Sequence, residues 1–173
     1  MPGPTTATPT PPSSRARAAA RLAARYQAQD STQTLAEGLA EYYARNRARV
    51  TAPADLPAES AALFRNHDAC HVIFGLDTSP ADETLTDTRT MLACDVGWRR
   101  YGAYLASDPQ AKAIFKQFGA WRLIVITVMT IPRIVRALIE RRRMKRPWPW
   151  TPPPAYFERR LAELRAEYGI RVI

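Results

Sequence analysis

The chain has 173 residues, 46% of them hydrophobic, which suits one domain around one core. Its 25 Lys and Arg against 16 Asp and Glu leave a net charge of +9, a balance that points to anionic, phosphate-rich partners. Seven glycines argue against a barrel or turn-rich sandwich, and two cysteines exclude a disulfide scaffold and suit a reducing compartment.

Residues 1–14 are rich in Pro, Thr and Ser and are expected to be disordered. Arg15, Arg17, Arg21 and Arg25 follow with no acid before Asp30, a balance shared by mitochondrial presequences and by basic tails. The prolines at 2, 4, 9, 11 and 12 favour the tail, and the lack of an apolar segment argues against secretion. The expected division is a basic, disordered tail over 1–30 and a helical domain over 31–173. Ser31 to Thr34 can cap a helix whose apolar positions are Leu35, Leu39, Tyr42 and Tyr43. Val50 to Pro57 reads as a proline-marked linker.

A helix from about Glu59 to Phe74 carries both histidines of the chain, His67 and His71. At this spacing the two rings lie about 40° apart on one helix face, with Asp68 roughly 60° beyond His71. Gly75 reads as a helix stop, and Thr78-Ser79-Pro80 as the cap and first turn of a second helix expected from about Pro80 to Ala106. Glu83 then falls near the start of that helix, able to fold back toward the histidines. A pair of imidazoles and a pair of carboxylates converging from adjacent helices outlines a divalent metal site with nitrogen and oxygen ligands. The competing reading places both histidines as hydrogen-bonded core residues, since Leu63, His67, Cys70 and Phe74 form one apolar stripe. A zinc-peptidase site needs Glu where this chain has Asp68, and no Gly-x-Ser-x-Gly elbow is present for serine hydrolysis.

No segment alternates as a strand, so the fold class reads as all-α. The most apolar run, Leu123 to Ile131, lies between Arg122 and Arg133 and is far short of the ~20 residues that span a bilayer. It continues past Pro132 as a helix expected to bend there. Between Trp121 and Trp150 eight Lys/Arg face Glu140 alone. Two readings compete for this segment: a core helix with a solvated basic end, or an element lying on an anionic membrane with its tryptophans at the interface. No nucleic-acid-binding motif accompanies the charge, so nucleic acid is not an expected partner. Ala155 to Tyr168 places Phe157, Leu161, Leu164 and Tyr168 on one packing stripe, with Gly169 as its stop.

His67-Asp68-x-x-His71, eleven residues and Glu83 match the H-D-x-x-H-x11-E signature, and the chain resembles the Coq-four family of ubiquinone biosynthesis proteins. His71 to Thr78 and Leu161 to Ile170 resemble that family's continuation and C-terminal end, so the resemblance runs over about residues 31–171. Cys70 stands where the family has a large aromatic. The resemblance implies His67, Asp68, His71 and Glu83 as metal ligands, with Zn²⁺ the default and Fe, Mn or Co as alternatives. It implies oxidative decarboxylation at C1 of a polyprenylated 4-hydroxybenzoate-type ring, with Asp68 or Glu83 moving protons. The alternative it implies is a non-catalytic prenyl-lipid-binding scaffold for other quinone-biosynthesis proteins. The expected location is cytoplasmic and peripheral on the inner membrane face, or the matrix side of the mitochondrial inner membrane in a eukaryote, with a homo-oligomer allowed.

Overall fold

The computed structural model describes residues 23–51, 55, 58–107 and 109–173, with the side chains at 58–60, 104–105, 107 and 109–123 left out. The Pro-rich tail up to residue 22, most of the expected linker and the Trp121 side chain lie outside the described residues. The chain is all-α: α1 (Leu35–Arg45), α2 (Ala58–Phe74), α3 (Pro80–Ala93), α4 (Gly97–Ser107), α5 (Pro109–Arg143) and α6 (Leu161–Tyr168). Short 3₁₀ turns span Arg25–Gln27 and Pro154–Glu158.

Local chemistry sets the helix ends. Thr34 and Glu37 form a reciprocal capping box at the start of α1, with bonds of 3.1 and 2.8 Å. Ser79 accepts from the Asp82 N–H at the start of α3, where Pro80 occupies the first turn and its missing N–H costs nothing. α2 ends at Gly75, whose φ of +71° suits glycine alone, and a side chain there would also strike Val172.

The C-terminal half of α2 is the centre of the molecule. Ala69, Cys70, His71, Val72, Ile73 and Phe74 are all fully buried, so this helix is covered on every side rather than along one stripe. Gly38 lets α1 approach Val72 closely; a Cβ there would sit 2.7 Å from the valine methyl. Each fully buried Leu, Ile or Phe of this core contributes roughly 1.5–3 kcal/mol. Arg165 of α6, itself fully buried, donates to the carbonyls of Val72, Ile73, Tyr26 and Ala28. It thereby adds a donor to two carbonyls at the end of α2, of which Val72 also accepts from the Gly75 N–H, and ties the chain's first described turn to its last helix.

Several expectations need correction. Residues 24–30, expected within the tail, pack into the domain, where Tyr26 is fully buried and its hydroxyl donates to the Leu76 carbonyl. The helix expected to run to Ala106 breaks after Ala93. Cys94 is extended, Gly97 has φ +70°, and Trp148 donates to the Ala93 carbonyl and accepts from the Asp95 N–H. Those cross-chain bonds replace the helical ones. Trp148 is therefore a core residue with no exposed surface, not an interfacial tryptophan.

α5 continues through Pro132 and packs against α3, with Arg133 bonded to Asp82 at 2.6 Å. Among its described residues Thr130, Ala137 and Glu140 are buried and Ile134 packs partly buried against the core. Ile124, Val128, Met129, Ile131, Val135, Leu138 and Ile139 are exposed, so the apolar run is not a core helix. No helix among the described residues is long and apolar enough to cross a membrane. The last expected helix divides at Arg159, leaving the 3₁₀ turn before α6; Gly169 stops α6 at φ +70°.

Candidate metal centre

α2 and α3 bring His67, His71 and Glu83 together, with one ligand atom from each lying within 4.8 Å of the others. This group could hold a metal ion. The i, i+4 spacing stacks the histidines on one helix face, their ring centroids 4.8 Å apart. The tight turn after Gly75 returns the chain so that the first turn of α3 delivers Glu83. That turn is braced by Asn46, which donates to Asp77 at 3.0 Å and accepts from Thr78 at 2.8 Å.

His71 is the most constrained member. It is fully buried and stacks on Tyr42 with centroids 5.2 Å apart. Its Nδ1 lies 3.2 Å from the Thr86 hydroxyl, and that hydroxyl donates its single proton to the Asp82 carbonyl at 2.9 Å. Thr86 can therefore only accept from His71, which places the ring proton on Nδ1. Nε2 is left with a lone pair, buried and without a hydrogen-bond partner, and the Glu83 carboxylate lies 3.3 Å away. Two acceptors facing each other at that distance call for a shared proton or a metal ion between them. A ring fixed through Nδ1 with Nε2 free is the arrangement of a metal-ligating histidine. The residues fit a divalent ion.

His67 is held differently. Its Nε2 lies 3.4 Å from Asp87, whose carboxylate accepts from the Tyr101 hydroxyl at 2.6 Å, and the Tyr101 ring stacks over the imidazole at 6.4 Å. Burial opposes charge on His67, but Asp87, Glu83 and Asp68 outweigh it and lift its pKa to about 9. Burial opposes charge on Glu83 too, which would raise its pKa, yet the adjacent His71 and His67 hold its carboxyl below the usual range.

Asp68 is not part of the converging group. Its Oδ1 is 4.0 Å from His67 Nδ1, and Oδ2 accepts from the Tyr43 hydroxyl at 2.9 Å. Burial pushes its carboxyl up against the opposing pull of His67, His71 and Tyr43. The site thus gathers carboxylates from Asp68, Glu83 and Asp87 around a pair of imidazoles, in a chain whose net charge is +9.

Sequence reasoning missed Asp87, Thr86, Tyr43 and Tyr101. Asp87 carried a signal, since it sits one helical turn after Glu83 and shares its face. Tyr101 carried none, because it reaches the site only through the break between α3 and α4. No family model, curated protein or solved structure matches the chain.

Proposed function

We propose that the protein is a divalent-metal enzyme of ubiquinone biosynthesis. In this reading it replaces the C1 carboxyl of a polyprenylated 4-hydroxybenzoate-type ring with hydroxyl, dioxygen serving as oxidant. The observation that carries the metal site is the buried, unpartnered Nε2 of His71 facing Glu83. The reaction rests on the resemblance, because these atoms belong to the residues of the H-D-x-x-H-x11-E string.

His67, His71 and Glu83 would hold the ion, with Zn²⁺ the default for a ligand set of two imidazoles and one carboxylate. When bound, the metal supplies a Lewis acid for a carboxylate or phenolate oxygen. Thr86 fixes the tautomer of His71, while Asp87, anchored by Tyr101, orients His67. The Glu83 side chain is 40% exposed while that of His71 is wholly buried, so substrate approaches from the Glu83 side. Asp68, raised by burial and bonded to Tyr43, stands beside the ligands as a group that can hold a proton.

A polyprenyl substrate resides in a bilayer, and the exposed apolar residues of α5 beside Arg136, Arg142 and Arg143 suit a protein lying on an anionic membrane. The same surface favours the second reading, a prenyl-lipid-binding scaffold without turnover. Metal analysis combined with turnover separates the two. Wild type should carry stoichiometric metal and convert prenylated 4-hydroxybenzoate, His71→Ala should lose the metal, and Glu83→Gln should stay folded while losing turnover. Lipid binding without turnover by wild type loaded in turn with Zn, Fe, Mn and Co would replace the enzyme with the scaffold.

A further inference from the structure

Cys70 and Cys94 are the chain's two cysteines, and the metal centre uses neither. They lie on different elements: Cys70 in the buried half of α2, directly before His71, and Cys94 at the residue that ends α3. Their sulfur atoms are nevertheless 3.8 Å apart, and both are free thiols. Such proximity between residues this far apart in sequence is fixed by packing of α2 on α3, not by local geometry.

We propose that Cys70 and Cys94 form a disulfide on exposure to a peroxide, closing the α2–α3 hairpin into a covalent ring. A disulfide needs its sulfur atoms about 2.05 Å apart, so they must close by less than ~2 Å. Rotation of the two side chains can supply that movement; the Cys94 backbone, extended (φ −105°, ψ 162°) at the junction of α3 and α4, is held on both sides by the bonds of Ala93 and Asp95 to Trp148. Cys94 is the entry point: it retains 6% exposure, where Cys70 has none.

The chemistry balances with a peroxide as the named oxidant. One of the two sulfurs attacks the peroxide as its thiolate, the O–O bond breaks, and a sulfenic acid forms with release of water. The other sulfur then attacks that sulfenic sulfur, the S–O bond breaks, and a second water leaves. Two thiols lose two electrons and two protons, and one hydrogen peroxide becomes two waters. The ring spans residues 70–94 and so contains His71, Glu83, Thr86 and Asp87. It joins the helices that carry both halves of the metal centre, though the bond itself depends only on the two thiols and not on any metal reading.

The test uses full-length protein treated with one to two equivalents of hydrogen peroxide, followed by intact mass, thiol titration in denaturant and a non-reducing digest. The expected results are a loss of about 2 Da, no titratable thiol, a cross-linked peptide pair and full reversal by dithiothreitol. The melting temperature of the oxidised monomer should rise by roughly 5–10 °C, since the closed ring restricts the unfolded chain. Cys94→Ser should abolish the cross-link while circular dichroism verifies its fold, and Cys70→Ser gives the reciprocal control. Thiols that stay titratable, a mass gain of sulfenic or sulfinic oxygen without the cross-link, or linkage only between chains would each overturn the proposal.

Discussion

Replacing Thr86 with Val removes one buried hydroxyl and keeps its shape, and it tests whether that hydroxyl readies His71 for metal. In the wild type the Thr86 oxygen bonds the Asp82 carbonyl at 2.9 Å and receives the Nδ1 proton of His71 across 3.2 Å. Without it the Nδ1–H has no partner in a fully buried setting, a loss of about 1–3 kcal/mol if the ring does not respond. The ring has a response, which is to move its proton to Nε2, only 3.3 Å from Glu83. That shift recovers part of the lost stability and blocks the lone pair a metal needs. Metal-free Thr86→Val should therefore be destabilised only mildly, by ~1 kcal/mol, while its metal affinity falls about 10- to 100-fold. Chelator competition measures the affinity directly. Each tenfold weakening removes ~1.4 kcal/mol of metal-linked stability, or roughly 3–6 °C of the melting shift for a domain of this size. Thr86→Ser, which keeps the hydroxyl, should bind like wild type. Wild-type affinity in Thr86→Val would refute the tautomer argument.

Proton linkage gives a second expectation with a defined sign. His67 rises from an ordinary value of 6.5 to about 9, so its proton stabilises the metal-free fold below pH 6.5 and that contribution is lost as pH climbs through 9. Metal must displace the same proton, so the melting shift produced by buffered Zn²⁺ should widen across that window; a shift that narrows would contradict it. Arg165→Met should lower stability by about 3–5 kcal/mol, read as a lower urea midpoint, because the buried carbonyls of Tyr26 and Ile73 lose their donor together and Val72 loses one of two. A loss under ~1 kcal/mol would mean Arg165 braces nothing. Met129→Asp, at a residue 77% exposed, should weaken binding to anionic vesicles without lowering the melting temperature, and Arg142→Glu should do so in a salt-dependent way. Equal binding of all three proteins would remove α5 from the membrane reading.

The features legible in the sequence are those whose cause lies within a few residues. The cap at Thr34, the Ser79-Pro80 start and the glycines at 75 and 169 each bound a helix by chemistry local to that end, and each stands where expected. The break after Ala93 was not legible, because the bonds that replace the helix come from Trp148, on the far side of α5. Trp148 itself looked interfacial for the same reason: composition reports that an aromatic follows a basic run, not that the chain turns inward. Hydropathy likewise could not decide the run from Leu123 to Ile131, since a core helix and a lipid-facing one carry the same residues. Only the covered stripe of Thr130, Ile134, Ala137 and Glu140 separates them. At the candidate metal centre the spacing of His67, His71 and Glu83 was enough to bring these side chains together, while the groups that orient them were not visible. Asp87 holds His67 only because Tyr101 arrives from α4, and Asp68 turns from the ligands because Tyr43 of α1 claims its oxygen. The converging side chains are thus a property of one hairpin, but their orientation is a property of the whole fold. A change on α1 or α4 that never touches them should therefore alter the affinity of the proposed site for metal.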